Sequence, residues 1–147
     1  MNSEIAAFAA GLFDGEGCVG IQRQQRAYKN GTYVNYALRV EFHMINKAVL
    51  EFMRQQFGGI QVHKCKRYAR RRQGYRWDLY SSAAAEFLRT IKPYSIVKRR
   101  EIATALSFHA QNVRYQKHNG FRKRTANEIA ARERYCARLR LLKKGAS

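Results

Sequence analysis

Acidic side chains are scarce in this 147-residue chain: ten Asp and Glu stand against 29 Lys and Arg, a formal net charge of +19. So lopsided a balance leaves polyanions as the natural partners, because each phosphate met by Lys or Arg releases condensed counterions, a driving force that neutral partners lack. Proline occurs once, at Pro93, yet 46% of residues are apolar, a composition that excludes a disordered basic tail. An anionic membrane would call for a concentrated amphipathic basic helix or a hydrophobic anchor, and no apolar run reaches the roughly 20 residues that span a bilayer, so nucleic acid is favoured over a membrane partner. Cysteine is sparse as well. Cys18, Cys65 and Cys136 are far apart, odd in number and without CxxC or Cys/His ligand spacing, which argues for a reducing, intracellular setting. The opening MNSEIAAFAAGL has no basic stretch ahead of its apolar part, so a secretory signal is not expected. The length suits one domain, 1–147, and one site.

What is present is a succession of periodic segments. Small residues dominate 3–14, with Ser3 as the expected N-cap and Gly15 and Gly17 ending the helix. From 17 to 26 the pattern alternates, Val19 and Ile21 on one face and Gln22, Gln24 and Arg26 on the other, which predicts a half-buried strand. Past the turn Lys29-Asn30-Gly31, alternation returns over 33–43. There Val34, Tyr36, Leu38, Val40 and Phe42 oppose Tyr33, Asn35, Arg39, Glu41 and His43. Asn-Gly between two such runs signals a hairpin. Val49, Leu50, Phe52 and Met53 predict a helix over 47–57, stopped by Gly58-Gly59. A second hairpin follows, with strands at 60 to about 70 and at 75–80. In it Ile60 and Val62 oppose Gln61 and His63, while Tyr75, Trp77 and Leu79 oppose Arg76 and Asp78. Helices at 83–91, 96–112 and 126–143 complete the chain.

The resulting order, αββαββα with an added C-terminal helix, implies an α+β fold: an antiparallel sheet covered by helices on one face and open on the other. The open face carries Gln22, Gln24, Arg26, Tyr33, Asn35, Arg39, Glu41, His43, Gln61, His63, Arg76 and Asp78, joined by Arg67, Arg70, Arg71 and Arg72 in the second hairpin. Such side chains on rigid strands suit DNA base edges, since Arg pairs bidentately with guanine and Asn or Gln with adenine. Lys117, Arg122, Lys123 and Arg124 form a basic connector before the last helix, within a C-terminal part spanning 113–147, and are suited to flanking phosphates. His109 and His118 are expected to be ordinary packing or surface residues.

The run Ala9-Ala10-Gly11-Leu12-Phe13-Asp14-Gly15-Glu16-Gly17 closely resembles the LAGLIDADG motif of homing endonucleases, in the variant ending Asp-Gly-acid-Gly. The likeness extends through Ile91-Lys92-Pro93-Tyr94 into 96–100. It implies a saddle-shaped sheet facing DNA and a motif helix, 1–14, that packs against its twin, with Ala6, Ala7, Ala10 and Gly11 as interface residues whose missing bulk permits close approach. It implies that Glu16, with the carbonyl of Gly15, binds Mg²⁺, or Mn²⁺ or Ca²⁺ in its place, over the scissile phosphate. Lys98 matches the family's basic residue near the active-site water, and Asn46 a water-positioning polar site. Asp14 is expected to hold the motif's turn or the subunit junction. Leu50 falls near a position where the family has a second basic residue, with Lys47 beside it as a substitute.

One acid-ended motif supplies one centre, whereas cutting both strands needs two, so the resemblance implies a homodimer on a palindromic or nearly palindromic target. Each strand of ~9 residues runs ~30 Å, the length of ~9 base pairs, so the pair covers roughly two helical turns. Short 3′ overhangs are the family's product. The chain's size and want of splicing-domain signals suggest an intron-borne gene, acting in a bacterial or phage cytoplasm or an organelle. Alternatives on the same fold are a maturase of intron RNA and a cleavage-dead DNA-binding regulator.

Overall fold

The computed structural model describes residues 2–29, 31–65, 72–119 and 123–145, including side chains except at 28 and 116–119. Along the chain run α1 (Ser3–Glu16), β1 (Gly17–Tyr28), β2 (Gly31–Met44), α2 (Lys47–Phe57), β3 (His63–Cys65), β4 (Gly74–Tyr80), α3 (Ser81–Ile91), α4 (Arg99–Asn119) and α5 (Ala126–Lys143). This is the expected αββαββα order with further helix at the C-terminal end. The sheet is antiparallel with spatial order β1-β2-β4-β3.

Several boundaries differ from expectation for identifiable reasons. Asn2, not Ser3, caps α1, its Oδ1 accepting from the Glu4 amide at 2.9 Å. The helix continues through Gly15 and Glu16 before the Gly17 amide closes it on the Phe13 carbonyl. β1 departs at once, and a Cβ on Gly17 would lie 2.9 Å from the Phe13 Cα and carbonyl oxygen, so only glycine fits this helix-to-strand junction. In the second hairpin the first strand starts at His63 rather than at 60. Gly59, at φ +89°, folds the chain against β4, where the Ile60 amide donates to the Asp78 carbonyl. Residues 66–71, which hold Arg67, Arg70 and Arg71, lie outside the described residues. Helix α4 begins at Arg99 rather than 96 because the intervening amides serve another purpose, described below. It runs on to Asn119, into the expected connector. Thr125 and Glu128 form a capping box on α5.

The registers Val19↔Val40, Phe42↔Trp77 and Val40↔Leu79 put the apolar half of every long strand on one face. Beneath the helices this face closes around Phe13, Phe42, Trp77 and Phe87, whose rings meet at 5.4–6.1 Å centroid separations in mostly edge-on geometry. The Trp77 indole finds its partner in the Gly58 carbonyl at 3.0 Å. Fully burying a side chain of this kind contributes about 1.5–3 kcal/mol, so these few rings account for much of the cohesion between α1, α3 and the sheet. Cys18, Cys65 and Cys136 are unpaired. No described helix is long and apolar enough to cross a membrane.

Candidate functional site

The acid-rich end of α1 is tied to the segment before α4 by a reciprocal set of hydrogen bonds. Both carboxylate oxygens of Asp14 are filled: Oδ1 accepts from the Ser95 hydroxyl at 2.6 Å and the Lys98 amide at 3.1 Å, and Oδ2 from the amides of Ile96 at 2.7 Å and Val97 at 3.1 Å. Burial pushes the Asp14 pKa up, but the Ser95, Ile96, Val97 and Lys98 hydrogen bonds together outweigh it and hold the carboxyl below its ordinary value. In return, the Lys98 ammonium donates to the carbonyls of Phe13 at 2.8 Å and Gly17 at 2.6 Å, capping the negative end of α1. Asp14 is thus a structural anion with no oxygen to spare. Glu16, two residues on, is exposed at the last position of the helix beside the exposed Gly15. Among the described residues no three His, Cys, Asp or Glu converge, so the chain offers one open carboxylate here rather than a ligand set.

Gly17 pairs with Phe42, so the residue after α1 and the end of β2 share one end of the sheet. Asn46 follows there. Its Oδ1 caps α2 by accepting from Ala48 at 3.0 Å and Val49 at 3.4 Å, which leaves the Nδ2 donor unused by the cap. Leu50 is fully buried, and Lys47 leans on Glu51 of its own helix at 3.6 Å, so neither presents the second basic group anticipated near this point.

From that end the open face of the sheet extends outward. The pairs Gln24↔Asn35, Arg26↔Tyr33, Glu41↔Asp78 and His43↔Arg76, with His63↔Arg76 beyond, align the expected polar residues on one side, including Gln22 and Arg39. Gln61 is exposed just before β3, and Arg72 is exposed before β4. Asp78 differs from its neighbours: it is 2% exposed, buried under two guanidiniums. Arg39 gives Nε and Nη2 to its Oδ1 at 3.1 and 2.9 Å, and Arg76 gives Nε to both oxygens at 2.9 and 2.8 Å. The Asp78 carboxylate therefore orients the arginines and does not itself face a base, a correction to its expected role. Burial raises its pKa and the Arg39 charge offsets this only in part. Glu41 also accepts from Arg39 and, at 3.3 Å, meets His43, so the acids of this face are spent internally.

A family model described as LAGLIDADG endonuclease matches residues 9–106, from the motif into α4. The chain is a member of the LAGLIDADG endonuclease family. No curated protein sequence matches it. Among solved structures it resembles the homing endonuclease I-CvuI in complex with a DNA target in the presence of Mg, with a TM-score of 0.70 at 14% identity over 95% of this chain and 83% of that one. An archaeal intron-encoded homing endonuclease, I-Vdi141I, complexed with DNA, gives 0.69 at 15% over 93% and 82%. The homing endonuclease I-TnaI gives 0.64 at 17% over 100% and 99%. At these identities the likeness is one of fold.

As a LAGLIDADG protein the chain departs from its expected layout at the motif helix and the connector. Ala6 and Ala10 are buried in the subunit's own core with Ala9 and Phe13, so they are not available to a second helix. The exposed stripe is Ala7, Phe8, Gly11 and Gly15, and a Cβ at Gly11 or Gly15 would meet nothing within 4 Å. Phe8, 48% exposed and edge-on to Phe52 at 5.9 Å, and Ile96 and Val97, both more than 70% exposed, are apolar surface that sequence reasoning missed. A helical-wheel sorting of 6, 9, 10 and 13 against 7, 8, 11 and 15 would have found Phe8. In the connector, Arg124 is not a free cation: it donates to the Val34 carbonyl at 3.1 Å and to Asn35 Oδ1 at 3.0 Å. Lys123 is exposed, whereas Arg122 and the Lys117 side chain lie outside what is described.

Proposed function

We propose that the chain is a site-specific, divalent-metal-dependent DNA endonuclease that cuts both strands as a homodimer on a long, nearly palindromic target, leaving short 3′ overhangs. The observation that carries this is the division of labour within the motif. Asp14 is consumed by four donors, while Glu16 is open at the end of the same helix. An exposed carboxylate beside a helix's terminal carbonyls is a hard, anionic oxygen set, the donor chemistry that Mg²⁺, Mn²⁺ or Ca²⁺ takes. Glu16 and the Gly15 carbonyl would hold the ion, which when bound neutralises phosphate charge and lowers the pKa of water.

The chain's own groups do the rest. Lys98, fixed by two carbonyls of the motif turn, sets a positive charge beside the open acid, where negative charge grows on the phosphate during attack. Asn46, whose Oδ1 is held by its capping role, keeps Nδ2 to orient water at the same end of the sheet. Two copies meeting along Ala7, Phe8, Gly11 and Gly15 bring two such ends together, and the open faces then extend to either side over symmetry-related half-sites. Lys123 and the remaining basic connector serve flanking phosphates.

The test is cleavage of a randomised duplex library with Mg²⁺ by the wild type and by Glu16→Gln. Selective double-strand cutting that disappears in the variant, with duplex affinity kept, is the expected result. Binding without cutting by the wild type would replace this reading with a DNA-binding regulator or an RNA maturase.

A further inference from the structure

Where β4 ends, opposite Arg39, β2 continues outward with β1 on one side only, which leaves backbone carbonyls along its other edge. Two side chains take the place of the missing strand. Asn112 Nδ2 of α4 donates to the Tyr36 carbonyl at 3.1 Å, and Arg124 Nε donates to the Val34 carbonyl at 3.1 Å. The Arg124 guanidinium is held besides over the Tyr115 ring, 4.8 Å from its centroid. Arg132, 3% exposed, rests over the same ring at 4.6 Å and donates to Asn112 Oδ1. Burial first, and the neighbouring Arg132 charge second, lower the Arg124 pKa. This is a desolvated, wedged arginine, unlike one that grips a phosphate from solvent.

Its remaining bond reaches the open face of the sheet: Nη2 donates to Asn35 Oδ1 at 3.0 Å. A guanidinium has no acceptor, so this contact also settles which way the Asn35 amide points. Anchoring Oδ1 toward the connector sends Nδ2 away from it, and Nδ2 meets no partner among the described residues. Asn35 stands seven positions along β2 from Phe42, the partner of Gly17, or about 23 Å from the motif at ~3.3 Å per residue.

Resting on the endonuclease reading above, we infer that Arg124 is a positioning residue for sequence recognition, locking Asn35 as a hydrogen-bond donor to one base pair in the outer part of each half-site. A lone amide donor selects a major-groove acceptor, guanine N7 or O6, adenine N7 or thymine O4, and disfavours the cytosine amino group. The bidentate pairing of asparagine with adenine N6 and N7 is given up, because the oxygen it needs faces Arg124. Arg124, Tyr115 and Arg132 all lie beyond the family-matched span, so this specificity comes from the chain's C-terminal part.

The test is binding selection on randomised duplexes in Ca²⁺, with the wild type, two single variants and their double variant at several salt concentrations. Asn35→Asp keeps an oxygen for Arg124 but turns the outward group into an acceptor. At one outer base pair per half-site, preference should invert toward a base offering a donor, cytosine N4 or adenine N6, by about 5- to 150-fold. Arg124→Met should flatten preference at that same pair while leaving the salt slope unchanged, and the Asn35→Asp inversion should vanish in the double variant. Unaltered preference in Asn35→Asp overturns the inference, as does a salt slope that falls by about 1 per subunit in Arg124→Met, the mark of a lost phosphate contact. Asn35→Asp keeps the anchoring contact and so keeps the test sound if Arg124→Met is poorly folded. Wild-type protein without any sequence preference would instead overturn the endonuclease reading itself.

Discussion

Replacing Asp14 by Asn is the sharpest probe of the motif's architecture, because the variant is isosteric and changes only what the two distal atoms can accept. If Oδ1 stays with Ser95 and Lys98, the new Nδ2 faces the Ile96 and Val97 amides, donor against donor, where the native Oδ2 accepted at 2.7 and 3.1 Å. Turned over, it faces the Ser95 hydroxyl, and Ser95 is fully buried. Hydrogen bonds to a charged group contribute about 1.5–3 kcal/mol each, but the Ile96 and Val97 amides regain water when released, so a loss of about 2–3 kcal/mol overall is expected. For a domain of this size that lowers Tm by about 4–12 °C. The pH dependence has a definite sign. Because the folded carboxyl is held below its ordinary value, its contribution is fully present above the unfolded pKa near ~4 and fades as pH falls through the folded one. Urea denaturation followed by circular dichroism at pH 7 and again below pH 4 should show the wild-type advantage shrinking with acid. A loss under about 0.5 kcal/mol at pH 7, or one that does not shrink, would refute the role given to this carboxylate.

Three further outcomes follow from the same geometry. Gly11→Leu places a side chain in space that is open in the single subunit, so thermal stability should change by less than about 1 kcal/mol, the order of a Gly substitution in an exposed helix. Sedimentation should meanwhile show dimer giving way to monomer at micromolar protein. Gly17→Ala drives a Cβ to 2.9 Å from the Phe13 backbone and should cost about 1–3 kcal/mol in urea titration, with Glu16 displaced and cleavage lost alongside. Asp78→Ala removes the acid shared by Arg39 and Arg76 and leaves them Glu41, which Arg39 meets directly and Arg76 at 3.8 Å; about 1–3 kcal/mol of destabilisation is expected by calorimetry, with base preference weakened at the positions those arginines face.

The strands were legible because alternation alone decides a half-covered sheet: β2 places Tyr36, Leu38, Val40 and Phe42 inward as their spacing requires, and the β1 and β4 registers follow from it. The family was legible through the motif at 9–17. What stayed hidden depends on partners remote in sequence. Nothing near Asp14 announces donors from 81 to 84 residues away. Four small residues on α1 looked equivalent until the packed sheet chose Ala6 and Ala10 for the core. Arg124 read as a surface cation because charge is visible in a sequence, whereas the ring beneath it and the strand edge beside it are not. The first strand of the second hairpin starts later than its alternation suggests because the turn at Gly59 keeps Ile60 to Val62 out of regular pairing.

The clasp between α1 and the head of α4 joins segments far apart in the chain, so closing it requires the intervening sheet and two helices to be in place. Loop-closure entropy makes such a contact late in folding and among the first to be felt when the domain loosens. The acid at Glu16 and the ammonium at Lys98 consequently come into register only in an intact subunit. On the reading proposed above, a nascent or partly unfolded chain holds the parts of a cutting centre without their alignment, so strand cleavage would begin only once folding is complete.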